Sequence, residues 1–324
     1  MRQRWTIAVA FLLALPMLGG VTRKTPRVTA GPIDAAQSAA LFVGVRAFTY
    51  DKTLTEVRYA VDDAIDMAHL LAFERVPRLV DPKRVILALA GDPEKPESRK
   101  RLEELIAAGA TRRTAAHSEL LTLLETQSAA IGANGILLVS FASHGMSEHG
   151  VQYLLASDSL LQSQGTKISD AEIYDIISRA GVRRALILFD ACRQRLTRDT
   201  RAGDVDPRSA AALLQEIAET DGRVVLSAAA AGRYAYDDDA LRNGVFTAAV
   251  MDGLRCSAPT NEQGFVTVDT LSSYVEERVL RWIRRHRDRD ARVATQLQCE
   301  GTSKKMPLAL CVSGRSASTS PRPE

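Results

Sequence analysis

Charge of one sign is what this sequence most plainly lacks. Forty-two Lys and Arg stand against 39 Asp and Glu, a net +3 over 324 residues, and so small an excess implies no nucleic-acid or membrane-surface partner. Long apolar runs are also missing: the N-terminal run, residues 5–20, is broken by Pro16 and falls short of the roughly 20 residues that span a bilayer. No cysteine stands directly after that run, which argues against a lipid anchor on an N-terminal cysteine. No internal repeat is apparent. Cysteine itself is scarce. Cys192, Cys256, Cys299 and Cys311 allow three complete pairings; if Cys192 stays a thiol, one bridge among the other three leaves one thiol over. Cys256 with Cys299 or with Cys311 is the expected pair, and small buried cysteines without a bridge are the alternative.

What is present reads as an exported globular chain. A hydrophobic content of 46% with 25% charged residues is ordinary for a protein with a core. The basic start Met1-Arg2-Gln3-Arg4 before the apolar run has the form of a secretory signal over residues 1–30, with Val28, Thr29 and Ala30 as small residues suited to cleavage. An uncleaved anchor followed by Arg23 and Lys24 is the other reading, and it is the one route to a membrane. Either way the mature chain is expected in the periplasm or outside the cell, where disulfides form. Residues 31–37 read as a linker, and the Ser/Pro-rich residues 313–324 as a disordered tail.

Between these ends, strand and helix patterns alternate. Apolar runs at 39–45, 84–90, 136–142, 184–189 and 223–228 read as buried strands, and 308–312 as a last one. Gly44 permits close approach near the end of the first. Helical spacing predicts helices over 57–75, 97–108, 113–131 (with Thr114 as its cap), 170–179, 209–219 and 243–254. A further amphipathic helix is opened by Thr267 and carries Leu271, Val275, Val279 and Trp282 on one face. Ser169 caps the fourth helix and Gly181 stops it, while residues 150–156 read as a hairpin. The alternation implies an α/β fold with a largely parallel central sheet and helices on both faces.

Two of these strands end in chemistry. Leu186, Ile187, Leu188 and Phe189 run into Asp190, Ala191 and Cys192, and Leu137 to Ala142 run into Ser143, His144 and Gly145. Ligands of open parallel sheets bind at the carboxyl ends of the strands, so a cysteine and a histidine are expected to face each other. A lone strand-end cysteine is usually structural and a lone histidine usually a satisfied polar group; it is the pair that points to catalysis. The spacing, with His144 48 positions before Cys192 (192 − 144), resembles caspase-type cysteine peptidases, whose histidine lies about 50 residues upstream of the cysteine. The stretches Val57 to Asp63, Tyr153 to Asp158 and Gly244 to Thr247 resemble further motifs of the metacaspase and bacterial caspase-like branch, in order, over residues 39–312. Asp190 and Gln194 stand where true caspases carry glutamine and glycine, and Ser143 where metacaspases usually have glycine.

The resemblance implies a caspase-like three-layer sandwich over 38–312, divided into a larger part (38–200) and a smaller one (201–312), with the Arg-rich residues 193–208 as a region of self-cleavage. It implies a peptidase acting on protein or peptide substrates, with Cys192 as nucleophile, His144 as base, and the Gly145 and Cys192 N–H groups on the oxyanion. Chemically a free thiol with a pKa of ~8.5 needs such a base. In the metacaspase pattern Asp63 and Asp190 line the pocket for the residue before the cut, and two carboxylates select arginine or lysine. No cofactor is expected. The run Asp237-Asp238-Asp239 reads as a solvated loop, with calcium as its alternative because some metacaspases bind it through clustered aspartates. The basic stretch 281–292 reads as a solvated helix end, with docking to an anionic partner as its alternative. A catalytically silent caspase-like binding or assembly module is the rival to the enzyme.

Overall fold

The structure, a computed structural model, describes residues 32–148, 151–191, 222–229, 235–299 and 301–311. The signal segment, Cys192, the Arg-rich residues 193–208, the helix expected over 209–219 and the tail lie outside the described residues.

Five runs expected as strands form the middle of a seven-stranded sheet: β1 (Ala39–Val45), β2 (Val85–Ala90), β4 (Leu137–Ala142), β8 (Ala185–Asp190) and β9 (Arg223–Ser227). With the edge strands β13 (Gln296–Cys299) and β3 (Thr111–Arg113), the order is β13-β9-β8-β4-β1-β2-β3. Every pair is parallel except that of the edge strand β13 (Gln296–Cys299), which runs antiparallel to β9. A parallel sheet must be covered on both faces, and side chains alternate along each strand. Ala40 and Phe42 of β1 accordingly enter one core with Leu138, Leu186 and Leu226. Leu41 and Val43 enter the other with Val139 and Ile187.

The first core is closed by α1 (Ala60–His69), α2 (Pro96–Ala107), α5 (Val245–Asp252) and α6 (Val268–His286), and the second by α3 (His117–Ala129) and α4 (Asp170–Arg179). Local signals set some ends as expected. Ser169 and Glu172 form a reciprocal capping box on α4, Thr267 and Thr270 do the same on α6, and Gly181 has φ +66°. Elsewhere burial outweighed local signals. Residues 111–113, expected next to a helix start, form the short strand β3 (Thr111–Arg113) beside β2. The helix begins at His117 instead, with no side-chain cap of its own; Asp158 accepts the His117 N–H at 2.8 Å. Burying Leu120 and Leu124 on α3, at about 1.5–3 kcal/mol each, outweighs a cap worth about 1 kcal/mol. Gly44 behaves as read: a Cβ there would lie 2.8 Å from Val61 Cα, so the glycine lets α1 settle against the end of β1.

Outside the main sheet, β5 (Gly145–Glu148), β6 (Val151–Leu155) and β7 (Lys167–Ser169) form a three-stranded antiparallel sheet where a hairpin was expected. β10 (Asp237–Asp238) pairs with β11 (Asn243–Gly244), so the helix expected from 243 starts at Val245. β12 (Phe265–Thr267) pairs with β14 (Pro307–Leu310). Cys256 and Cys311 are bridged, one of the two expected pairings, and Cys299 stands outside that bridge. Among the described residues no helix is long and apolar enough to cross a membrane.

Candidate active site

The histidine is set by β4 and β8. Ala142 pairs with Asp190, the Ser143 N–H donates to the Asp190 carbonyl at 3.3 Å, and the buried Ser143 hydroxyl donates to the Leu155 carbonyl at 2.6 Å. Serine is thus held where a glycine stands in the metacaspase pattern. The Leu155 N–H donates to the His144 carbonyl at 3.0 Å, and Gly145 continues into β5. The imidazole lies 5.4 Å from the Phe48 ring at 17° to it, and its Nε2 is 2.9 Å from the Thr55 carbonyl oxygen. A carbonyl can only accept, so Nε2 carries the proton and Nδ1 is left as the basic nitrogen of the neutral ring. Burial lowers the His144 pKa and the Thr55 bond opposes that shift; the net lowering favours a neutral ring that can take a proton.

The two carboxyls come from a helix start and a strand end. Asp63 lies in the first turn of α1 and Asp190 ends β8, and they are only 3% and 7% exposed. Both reach the backbone that follows β10. The Asn243 side-chain amide donates to Asp63 at 2.7 Å, and the Gly244 N–H is 3.1 Å from each Asp63 oxygen. Asp190 accepts the Thr247 hydroxyl at 2.7 Å and the Thr247 N–H at 3.2 Å. A side chain at 244 has no room: its Cβ would fall within van der Waals contact of both carboxyls. Burial, and then the charge of Asp190, hold the Asp63 pKa well above its ordinary value. Burial pushes Asp190 up to about 7 against its two Thr247 bonds, with the charge of Asp237 adding to the rise. Among the described residues neither carboxyl has a cationic partner. Arg58, the nearby cation in sequence, pairs with Glu94 at 2.8 Å and Asp239 at 2.9 Å.

Neighbouring acids separate by environment. Asp66 is buried, but Lys95, Arg101 and Ser98 outweigh that burial and lower its pKa. Lys95 also donates to the Asn243 amide oxygen at 2.9 Å, so a line of contacts from Asp66 through Lys95 and Asn243 fixes the donor to Asp63. Asp62 is fully buried and accepts the Glu94 and Lys95 N–H groups at 2.9 Å each; it anchors a loop. The 237–239 run is not one solvated cluster. Asp237 is exposed at the rim, where surrounding protein and Asp239 raise its pKa. Asp238 accepts the Trp282 indole N–H, and Asp239 the Tyr59 hydroxyl at 2.7 Å. Among the described residues no group of three or more His, Cys, Asp or Glu could hold a metal ion.

Sequence reasoning missed Thr55, Asn243 and the role of Thr247. Thr55 acts through its main chain and leaves no side-chain signal, whereas residues 244–247 were visible as a motif without a role.

A sequence profile of the caspase domain matches residues 37–307. The chain belongs to the caspase domain family, a family of cysteine peptidases. Among solved structures it is similar to protein GSU0716 from Geobacter sulfurreducens (15% identity, TM-score 0.49, covering 85% of this chain and all of that one). It is also similar to caspase-1 from Spodoptera frugiperda (15% identity, TM-score 0.49, covering 92% and 97%). No curated protein matches the sequence.

Proposed function

We propose that this chain is an exported cysteine endopeptidase that cuts after arginine or lysine, with Cys192 as nucleophile and His144 as base. Register carries the reading. Ala142 pairs with Asp190, an offset of 48 (190 − 142), and the same 48 positions separate His144 from Cys192 (192 − 144). Nδ1 of His144, free while Thr55 holds Nε2, takes the Cys192 proton as sulfur attacks the scissile carbonyl. The N–H groups of Gly145 and Cys192 stabilise the oxyanion; losing such a donor costs on the order of 10²–10³ in rate. The imidazolium then protonates the leaving amine, and water, deprotonated by the same nitrogen, releases the acyl group.

Asp63 and Asp190 supply the basic preference. Among the described residues they face the same glycine without a cation of their own, so a guanidinium or ammonium entering between them replaces a retained proton with a matched charge. The disulfide between Cys256 and Cys311 supports export, because such bonds persist in oxidising spaces. An arginyl chloromethyl ketone tests the assignment. Label is expected on the peptide containing Cys192, with none after Cys192→Ala and slow labelling after His144→Ala. Equal labelling of the wild type and Cys192→Ala would contradict it.

A further inference from the structure

The basic stretch at the end of α6 borders a cavity outside the catalytic machinery. The cavity, of about 310 Å³, lies between α5, α6 and the turn that joins β10 to β11. Arg278, Arg281 and Arg285 project into its lining from successive turns of one helix face, beside Trp282 and His286. Val245, Ala249 and the exposed Leu241 supply apolar lining from the other side.

A helix C-terminus attracts cations in any case, but that effect fades within the last turn. Arg278 and Arg281 precede His286 by eight and five positions, which is beyond it. Their acidic partners also leave the lining positively charged. Arg278 shares Asp252 at 3.3 Å and Arg281 pairs with exposed Glu277, neither of which lines the cavity. Arg285 has no ion pair among the described residues. The lining's one carboxylate, Asp238, is occupied by the Trp282 indole and by the Ala240 and Leu241 N–H groups.

The aromatic wall is rigid for a surface. Trp282 stacks on His286 at 4.7 Å, meets the Tyr236 ring at 5.2 Å in a tilted contact, and Arg287 lies 5.7 Å over the indole. His286 Nδ1 donates to the Trp282 carbonyl at 2.9 Å, and Nε2 has no hydrogen-bond partner among the described residues.

We propose that this cavity is a binding site for a phosphorylated small molecule with an apolar or planar body. The three guanidinium groups take the phosphate oxygens through forked hydrogen bonds, and Trp282, Leu241 and Val245 pack against the body. One turn carries both this site and the acidic pair. Its Asp238 holds Trp282 at the cavity, and its Asn243 and Gly244 hold Asp63. An occupied cavity therefore braces the segment that shapes the pocket for the substrate's basic residue.

Trp5 and Trp282 are the two tryptophans, so in the full chain carrying Trp5→Phe the indole emission reports Trp282 alone. Titration with phenyl phosphate is expected to change that emission saturably. Affinity should fall about 10-fold or more on removing two guanidinium contacts in Arg281→Ala/Arg285→Ala. Leu241→Asp, an exposed change on the facing turn, should weaken binding similarly, while Arg289→Ala, outside the cavity lining, should leave it unchanged. No saturable change in the parent chain, or an equal loss with Arg289→Ala, would overturn the proposal. The emission readout does not depend on peptide cleavage, so failure here and failure of the peptidase assignment are separable.

Discussion

Replacing Asp190 by Asn should make the protein's stability respond to pH with a sign opposite to that of most carboxyl substitutions. A carboxyl whose folded pKa exceeds its unfolded value keeps a proton that the unfolded chain has lost. Its contribution is therefore complete at low pH and disappears as pH rises through the folded pKa. For Asp190 the window runs from the ordinary 3.8 to about 7. At about 1.4 kcal/mol per unit this amounts to roughly 4 kcal/mol. In Asp190→Asn the Thr247 hydroxyl and N–H still meet an amide oxygen, and no charge develops. Against wild type, the variant should gain about 1.4 kcal/mol per pH unit between about pH 4 and 7. Asp63, relieved of a charged neighbour, titrates lower in the variant and so stops costing stability sooner, which steepens the upper part of that slope. Glu74 shifts the other way, down to about 2 through its His69 and Arg255 bonds, but it is common to both proteins and cancels in the difference. Urea unfolding of both proteins at pH 5, 6, 7 and 8 measures the difference directly. A difference that is flat or falls with pH would refute the buried, proton-holding pair.

Three further outcomes follow from neighbouring contacts. Asn243→Ala removes the amide that donates to Asp63 at 2.7 Å, and once a basic side chain has displaced the Asp63 proton, the lost bond to a charged group costs about 1.5–3 kcal/mol. KM for an arginyl peptide should rise about 10-fold or more with kcat less affected, as steady-state kinetics will show. Cys256→Ala/Cys311→Ala opens a bridge between residues 55 positions apart and should cost about 2–4 kcal/mol in denaturant unfolding under oxidising conditions. Chelation by EDTA should leave peptide cleavage unchanged, because the carboxylates of 237–239 are already bonded, Asp238 to Trp282 and the other two to Tyr59, and do not converge on one metal position; a calcium-restored loss of rate would contradict this.

The parts of this molecule legible in its sequence are those fixed by neighbours in the chain. Buried strands announce themselves as apolar runs, and β4 and β8 carry their polar ends with them. Ser169 and Thr267 meet their cap partners three residues on. What depends on distant partners was not legible. The start of α3 is set by Asp158, 41 positions away, and β3 and β13 are short edge strands whose pairing, not composition, makes them strands. Around the site, the two aspartates were visible as acids at a helix start and a strand end. Asn243 and the Thr55 carbonyl, each meeting its partner across the fold, were not. Asp237 to Asp239 read as a solvated run because three consecutive acids give no hint that Asp238 turns to Trp282 while Asp237 and Asp239 meet Tyr59.

The central claim is tested most directly by matched fluorogenic peptides ending in Arg, Lys or Asp, cleaved by the mature protein beside Cys192→Ala. The account predicts cleavage after Arg and Lys that vanishes in the variant. Cleavage only after Asp would contradict the roles given to Asp63 and Asp190. Absence of cleavage from every peptide would contradict the enzyme itself and favour a silent caspase-like module.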